Sequence, residues 1–177
     1  MCRSLVALLV FVLPAALLIL SVGRASSCER DQAFFVRVVR VHDGDTVSVL
    51  IGKRRERVRL IGMDAPELGQ RPWGAKAKRR LEEMLNDAGR TVTMELDVDR
   101  RDKYGRLLAY LWTSDRRLIN LEMVKDGYAV LFTYPPNVRH VNALRKAQRL
   151  ARDRRLGIWG PNGLKELPEI YRRRHPR

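Results

Sequence analysis

Cysteine and histidine are scarce in this sequence of 177 residues, which has two cysteines and three histidines. Two cysteines cannot form a disulfide-rich scaffold or a four-thiolate zinc site. The sequence also has no internal repeat, which excludes a solenoid. Because 45% of its residues are apolar, the chain can bury a core and is not a wholly disordered protein. Its length predicts one domain.

Negative charge is the next scarcity, since 20 Asp and Glu residues face 35 Lys and Arg residues and give a net charge of +15. An excess of this size predicts an acidic partner, because clustered basic side chains gain free energy by displacing the counterions of a polyanion. Nucleic acid, an anionic membrane surface and an acidic glycan all fit. Charge alone does not distinguish these three partners.

One long apolar run is present, over residues 5–22, between Arg3 and a stretch of small residues. This layout predicts that residues 1–27 are a signal peptide that is cleaved on export. The length of 18 residues also fits a membrane anchor. Cys28 adds a third possibility, because the small residues before it faintly resemble a lipoprotein signal, in which the cysteine is acylated and tethers the chain. A thiol without a function near the N-terminus explains Cys28 equally well.

Removal of residues 1–27 takes away two arginines and no acid, which leaves 33 basic and 20 acidic residues and a net charge of +13. The basicity therefore belongs to the exported part of the chain. At most one cysteine remains there, so we expect no internal disulfide. We predict a short linker at 28–33, one domain at 34–160 and a basic C-terminal tail at 161–177.

The pattern of apolar and polar residues predicts five strands and three helices. The strands are expected at 34–41, 45–51, 56–63, 91–97 and 106–112, and the helices at 75–86, 118–126 and 137–156. The resulting fold class is β-rich α+β. The element order β-β-β-α-β-β, followed by two further C-terminal helices, is that of a five-stranded OB-fold barrel, the oligonucleotide-binding type.

A few acids stand at the ends of these predicted strands. Asp45 begins the second strand after an Asp43-Gly44 turn, in which glycine tolerates a positive φ and the Asp43 side chain supports the turn. Strand alternation places Asp45 on the inward face with Val47 and Val49. A carboxylate on that face needs a cation or hydrogen-bond partners. A purely structural role for Asp45 is an equally good explanation at this point.

Two further acidic clusters are open to a structural and a functional explanation. Asp64 could cap a short helical turn, with Glu67 close to the positive end of its dipole. Because the same strand carries Arg59, the two carboxylates also suit a hard cation, a water-activating base and a phosphate clamp. The third cluster, from Asp102 to Arg106, could be a hairpin turn with a solvated charge on each side.

Taken together and in order, these segments resemble the staphylococcal nuclease (thermonuclease) family. The similar stretches are VHDGDTV at 41–47, VRLI at 58–61, DAPE at 64–67 and DKYGRLLAY at 102–110. Fainter similarity continues to the Gly-Ile-Trp segment at 157–159. Each short motif is weak, but the ordered set covers residues 36–159.

The resemblance implies a Ca²⁺ site. By that resemblance, Asp45 and Asp64 correspond to the carboxylates that bind Ca²⁺ in the family. A backbone carbonyl assists them, which in this sequence is that of Ala65, where the family usually has threonine. Because the expected contact comes from the main chain, the replacement is compatible with the site. Oxygen-only ligands favour Ca²⁺ or Mg²⁺ over zinc.

The resemblance also implies catalytic and binding residues. Glu67 corresponds to the residue that orients or deprotonates the attacking water, and Arg59 and Arg106 correspond to the arginines that bind the phosphate. An arginine fork pairs with two phosphate oxygens at once, which suits that role. The implied nucleotide-contacting surface consists of Lys103, Tyr104, Phe132 and Tyr134, of which Phe132 could equally belong to the core.

The function expected from the sequence is that of an exported Ca²⁺-dependent nuclease. By family resemblance it would hydrolyse DNA and RNA with low sequence specificity, prefer single-stranded or locally open substrate, and leave 3′-phosphate ends. We expect a monomer with no protein partner, tethered to a membrane only if Cys28 or the N-terminal segment is retained. The alternatives are a noncatalytic nucleic-acid-binding module on the same fold and a basic envelope-attached protein.

Overall fold

The structure is a computed structural model, and it describes residues 33–176. The predicted signal segment at 1–27 and Cys28 lie outside the described residues. Within residues 33–176, none of the helices combines the length and the apolar character needed to cross a membrane.

The described part of the chain contains seven strands and four α-helices. The strands are β1 (Ala33–Val41), β2 (Thr46–Ile51), β3 (Arg54–Leu60), β4 (Met63–Asp64), β5 (Thr91–Arg101), β6 (Leu107–Trp112) and β7 (Val130–Leu131). The helices are α1 (Trp73–Asp87), α2 (Ile119–Lys125), α3 (Val141–Asp153) and α4 (Pro168–Arg174), with a short 3₁₀ helix at Gly157–Trp159.

Five of the strands close into a barrel in the order β1-β2-β3-β6-β5. Neighbouring strands are antiparallel, except that β3 and β6 run parallel and so join the first meander to the second hairpin. This architecture confirms the predicted β-rich α+β class and its OB-type barrel.

The inward-facing side chains of the alternating strands fill the barrel. Val47 and Val49 of β2 and Val58 and Leu60 of β3 are completely buried, whereas Arg57, just before Val58, is exposed. The apolar stripe predicted for the first helix, Ala77, Leu81, Met84 and Leu85, is buried as α1 covers the barrel. Because apolar burial is the main favourable contribution to folding, these two faces hold the scaffold on which the site is built.

The third predicted strand is wrong at its end, because it does not run to residue 63. It stops at Leu60, and the chain then bends at Gly62, whose φ of 76° strongly favours glycine. Met63 and Asp64 form β4, which pairs with β7 in a separate two-stranded sheet. The turn therefore carries Asp64 away from the barrel wall.

The last predicted helices also differ from the structure. The helix expected at 137–156 begins at Val141 and ends at Asp153. Asn137 instead binds the end of β5, where its side chain accepts a hydrogen bond from Asp99 N at 2.8 Å and donates one to Asp99 O at 2.9 Å. Within the predicted tail, α4 is a helix that the sequence did not indicate.

Asn120 fixes the chain just before β4. Its fully buried side chain accepts a hydrogen bond from Leu111 N at 3.0 Å and donates to Ile61 O at 2.8 Å and Ala109 O at 3.3 Å. These bonds join α2 to β6 and to the segment that leaves β3. The segment that leads to Asp64 is thus held from the side of α2.

Candidate active site

The turn before β2 brings Asp45 into the protein. The Asp43 carboxylate accepts a hydrogen bond from Asp45 N at 3.1 Å, as expected for an aspartate that supports a turn. Gly44 does not adopt a positive φ. Glycine is needed there for close packing, because a methyl group on Gly44 would lie 2.6 Å from Ala65 Cβ and 2.8 Å from Ala77 Cβ. The turn therefore rests directly on the segment after Asp64, and Asp45 is only 7% exposed.

Arg59 joins the two aspartates that the sequence had singled out. Its guanidinium donates through Nη2 to Asp64 Oδ1 at 2.8 Å and contacts Asp45 Oδ2 through Nη1. Asp45 Oδ2 also accepts a hydrogen bond from Ala65 N at 2.9 Å, and its Oδ1 accepts one from the Thr46 hydroxyl. Asp45 and Asp64 thus lie on the two arms of one guanidinium.

The helix-capping explanation of Asp64 is wrong. Asp64 belongs to β4 and is 0% exposed, and α1 begins nine residues later at Trp73. A buried carboxylate without hydrogen-bond partners would be strongly destabilising, and here arginines provide them. The explanation by charge pairing therefore holds for Asp64.

Burial lowers the pKa of the Arg59 guanidinium from its ordinary value. The neighbouring positive charges of Arg106 and Arg172 act in the same direction, while the negative charges of Asp64 and Asp43 oppose the shift. An arginine remains protonated under such conditions. Three guanidiniums, those of Arg59, Arg106 and Arg172, therefore lie near enough to one another and to the acidic cluster to interact electrostatically.

Glu67 lies on the loop between β4 and α1. Its backbone N–H donates to the side chain of Gln70 at 2.9 Å, and this bond fixes the loop. Gly74 allows the first turn of α1 to approach it closely, since a methyl group on Gly74 would lie 2.1 Å from Glu67 O. The Glu67 carboxylate is held near Asp64 because both accept hydrogen bonds from Arg172.

The Asp102 to Arg106 segment is the tight turn that the structural explanation predicted. Asp102 Oδ1 accepts hydrogen bonds from the backbone N–H groups of Tyr104 and Arg106, at 2.9 and 3.0 Å. Its Oδ2 accepts a further bond from Arg106 Nε at 2.7 Å. Asp102 thus orients a half-buried Arg106 guanidinium, which lies near enough to Arg59 for its positive charge to lower the pKa of Arg59.

Arg172 of α4 is the residue that sequence reasoning missed. It donates through Nη1 to Asp64 Oδ1 at 3.0 Å and to Glu67 Oε1 at 3.1 Å, and through Nη2 to Asp64 Oδ2 at 2.7 Å. Partial burial acts to lower its pKa, but the hydrogen bonds and negative charges of Asp64 and Glu67 raise the pKa overall. The only signal in the sequence was the run of three arginines in the predicted tail.

The predicted nucleotide-contacting residues lie on two neighbouring loops. Tyr104 is 73% exposed and Tyr134 is 70% exposed. Lys103 is also exposed, and its Nζ lies 5.1 Å from the centre of the Tyr104 ring. Phe132 is half-buried, between the core and surface roles considered for it. Since Asn137 ties the second loop to the end of β5, both loops are on the same side of the barrel.

The side chains around Asp45 and Asp64 determine which metal this site could hold. Within residues 33–176, no group of three His, Cys, Asp or Glu side chains is arranged to hold an ion. Asp45 and Asp64 therefore provide two carboxylates, and further ligands would have to be backbone carbonyls or water. Such an oxygen-only set fits a hard cation such as Ca²⁺ and does not fit zinc.

The fold and these residues define a class, that of OB-type barrels with an acidic cluster surrounded by arginines and exposed aromatic side chains beside it. Residues 57–161 match the family described as Staphylococcal nuclease homologue. The chain belongs to the staphylococcal nuclease family.

Individual relatives are similar to a larger share of the chain. A thermonuclease of Staphylococcus intermedius is 36% identical over 141 residues, which cover 77% of this chain and 81% of the relative. Endonuclease YncB of Bacillus subtilis is 34% identical over 148 residues, or 80% of this chain and 69% of the relative. A thermonuclease of Staphylococcus hyicus is 32% identical over 128 residues, or 70% of this chain and 74% of the relative.

Proposed function

We propose that this protein is an exported Ca²⁺-dependent nuclease that hydrolyses DNA and RNA with low sequence specificity. The observation that carries the proposal is the joining of Asp45 and Asp64 by Arg59, with Glu67 on the adjoining loop, in a chain of the staphylococcal nuclease family. Relatives named thermonuclease and endonuclease support the reaction class. By the same family argument the products carry 3′-phosphates.

Glu67 is the general base of the proposed reaction. Its carboxylate accepts a proton from the attacking water and directs that water at the phosphorus atom. As the new P–O bond forms, the bond from phosphorus to the 5′-oxygen breaks, and that oxygen leaves and takes up a proton from solvent, so the phosphate stays on the 3′-oxygen. Such proton transfer typically contributes about 10²- to 10⁴-fold to a rate. The exposure of the Glu67 side chain, 19%, leaves room for water to reach it.

Arg59 and Arg106 bind the phosphate in the proposed complex. Charge builds up on the phosphoryl oxygens as the new bond forms, and two oriented guanidiniums stabilise it more strongly than they stabilise the ground state. Asp102 holds Arg106 in place before substrate arrives. Pre-orientation matters because the protein then needs little rearrangement during the reaction.

Asp45, Asp64 and the backbone carbonyl of Ala65 are the proposed holders of Ca²⁺. The ion would supply positive charge that stabilises the developing phosphoryl charge and would lower the pKa of nearby water. Ala65 itself packs closely against Gly44, since a methyl group on Gly44 would lie 2.6 Å from Ala65 Cβ. This packing is compatible with alanine in place of the family's threonine.

Substrate binding extends beyond the phosphate. Tyr104 and Tyr134 offer exposed rings on which unstacked bases can lie, with Lys103 and the half-buried Phe132 beside them. Stacking of this kind requires bases that have left a duplex, so single-stranded or locally open substrate is favoured. The protein acts as a monomer outside the cytoplasm, and any membrane tether would involve Cys28 or residues 1–27.

The test is to incubate the purified chain with single-stranded DNA or RNA in the presence of Ca²⁺, Mg²⁺ or a chelator. Cleavage with Ca²⁺ that the chelator abolishes is the expected result. Binding of the same oligonucleotides without any cleavage would identify the chain as a noncatalytic module. Retention on anionic vesicles without nuclease activity would instead identify a basic envelope-attached protein.

A further inference from the structure

The C-terminal segment returns to the acidic cluster after the family match has ended at residue 161. Its helix α4 carries Arg172, whose guanidinium spans both oxygens of Asp64 and one oxygen of Glu67, at distances of 2.7 to 3.1 Å. Asp64 and Arg172 are 108 residues apart in the sequence. The contact therefore depends on how this C-terminal extension folds, and it lies outside the motifs of the family.

Several contacts hold the C-terminal segment in this position without involving Arg172. Gln70 donates through Nε2 to Glu166 O at 2.9 Å, and Trp73 donates through Nε1 to Asn162 O at 3.1 Å. Gly69 lies so close to Tyr171 that a methyl group on it would be 2.2 Å from the phenol oxygen. The segment is thus attached to the same loop that carries Glu67.

The contact occupies the oxygens that a cation would need. Asp64 Oδ1 already accepts a hydrogen bond from Arg59, so Arg172 adds a second donor to that oxygen and takes the other oxygen, Oδ2, as well. A divalent ion requires a carboxylate lone pair directed at it. Both oxygens of Asp64 are committed to guanidinium groups while α4 remains in place.

The charge balance acts in the same direction. Asp45, Asp64 and Glu67 carry three negative charges, which the neighbouring guanidiniums of Arg59 and Arg106 partly offset. Arg172 contacts Asp64 and Glu67 directly and further reduces the net negative charge that would attract a divalent ion. Desolvated charges at these distances interact strongly, so the loss of attraction applies where the ion would have to bind.

We propose that α4 is an autoinhibitory element, in which Arg172 occupies the carboxylates of the cation site and must leave before Ca²⁺ can bind. The inference rests on the proposed function, because it assigns the competitor at the same site. Two states follow, a closed one with Arg172 on Asp64 and Glu67, and an open one that binds the ion. Since Ca²⁺ binds only the open state, the closed state weakens the apparent affinity in proportion to its population.

The test is calorimetric titration of the full chain with Ca²⁺, in the absence of nucleic acid, for the wild type and Arg172→Ala. The matched control is Arg173→Ala, which removes the same charge from the same helix. Arg173 has a side chain that is 71% exposed and lies 3.9 Å from Glu169. The expected result is about ten-fold tighter Ca²⁺ binding by Arg172→Ala, as for a wild type that is open about a tenth of the time. Arg173→Ala should stay within two-fold of the wild type by the same relation.

Thermal unfolding gives a second readout that does not depend on activity. In chelator, Arg172→Ala should melt at a lower temperature than the wild type, because the contacts with Asp64 and Glu67 are lost. At saturating Ca²⁺ the two melting temperatures should converge, because the ion has replaced the guanidinium in both proteins. In chelator, the melting temperature of Arg172→Lys should lie between those of the wild type and Arg172→Ala, because its single ammonium cannot bridge both carboxylates.

The outcomes separate this inference from the proposed function. Equal Ca²⁺ affinity in the wild type, Arg172→Ala and Arg173→Ala would overturn autoinhibition while nuclease activity with Ca²⁺ still stood. Weaker Ca²⁺ binding by Arg172→Ala, or a lower cleavage rate at saturating Ca²⁺, would overturn it too and would make Arg172 part of the binding site. Absence of both Ca²⁺ binding and cleavage in all variants would overturn the proposed function together with the inference.

Discussion

At the scale of single residues, the site depends on buried charges that share a partner. Arg59 serves two buried carboxylates at once, so its removal would leave both Asp45 and Asp64 short of a partner. Breaking a buried pair in this way typically destabilises a protein by about 3 to 5 kcal/mol. Loss of activity in Arg59→Ala would therefore combine two effects, the loss of a phosphate-binding group and the destabilisation of the fold. Glu67, which is less buried, is the better residue for a test of the chemistry.

Glu67→Gln should lower the rate of single-stranded DNA cleavage by about 10²- to 10⁴-fold, because an amide cannot accept the proton from water. The shape of the side chain is retained, and circular dichroism should show an unchanged fold. Initial rates at saturating Ca²⁺ measure the effect. Glu169→Gln, an exposed glutamate on α4, is the matched control and should cleave at the wild-type rate. Equal rates for both variants would remove Glu67 from the reaction.

Tyr110 provides a prediction about pH and stability. It is fully buried, and its hydroxyl donates to Asp97 Oδ2 at 3.4 Å. Burial raises the pKa of Tyr110, and the negative charge of Asp97 raises it further. Since the pKa of an unfolded tyrosine is about 10, the unfolded chain releases this proton first, and stability is lost as the pH rises above about 10.

Urea unfolding at a series of pH values checks this sign. The free energy of unfolding of Tyr110→Phe should fall less steeply above about pH 10 than that of the wild type. Tyr134→Phe, which changes an exposed ring, should retain the wild-type slope. An identical slope in Tyr110→Phe would show that Tyr110 titrates normally in the folded protein.

At the scale of elements, α2 holds the segment that delivers Asp64. Asn120→Ala should destabilise the protein by about 2 to 3 kcal/mol, because it leaves the buried Ile61 carbonyl and Leu111 N–H without their bonds to Asn120. The free energy of urea unfolding measures the loss. Asn142→Ala on the exposed face of α3 should change it by less than about 0.5 kcal/mol. A similarly small effect for Asn120→Ala would contradict the role given to α2.

The sequence predicted strands and helices well where one face of the element is buried, and it predicted their ends poorly where a loop sets the boundary. The alternation of apolar residues in β2 and the apolar stripe of α1 reflect burial of one face, and the structure confirms both. The end of β3 could not be found by alternation, because Gly62 turns the chain within an apolar stretch. The start of α3 was also missed, since Asn137 is engaged by β5 and not by the helix. Contacts between distant segments set both boundaries.

At the scale of the whole molecule, the residues after position 27 carry a net charge of +13, and such a charge attracts nucleic acid without regard to its sequence. Stacking on aromatic rings would add to this attraction. We predict that Tyr104→Ala and Tyr134→Ala each weaken binding of a single-stranded oligonucleotide in chelator by about 1 to 3 kcal/mol. Fluorescence anisotropy at fixed salt measures the affinity.

The chain offers a matched control for that binding experiment. Phe35 is 78% exposed and lies on β1, outside the predicted nucleotide-contacting surface. Phe35→Ala should bind the oligonucleotide like the wild type. If all three alanine variants bind equally well, base stacking on Tyr104 and Tyr134 is excluded, and charge alone accounts for the affinity.

The candidate site was predictable where its residues stand close together in the sequence. Arg59, Asp64 and Glu67 lie within one short stretch. Strand alternation singled out Asp45, and the resemblance to a family assigned a role to Arg106. Arg172 was not predictable, because its partner Asp64 is 108 residues away and a run of arginines at a chain end is usually solvated. Only the fold brings the C-terminal segment to the acidic cluster.

The central claim is that the paired carboxylates hold the cation with which this protein cuts nucleic acid. It is tested most directly by the rate of single-stranded DNA hydrolysis as a function of free Ca²⁺, for the wild type and Asp64→Asn. The account predicts a rate that rises to saturation in the wild type and vanishes in chelator. For Asp64→Asn it predicts that the response is lost or moves to much higher Ca²⁺ while the fold, checked by circular dichroism, remains. Cleavage that persists in chelator, or an unchanged Ca²⁺ response in Asp64→Asn, would contradict it.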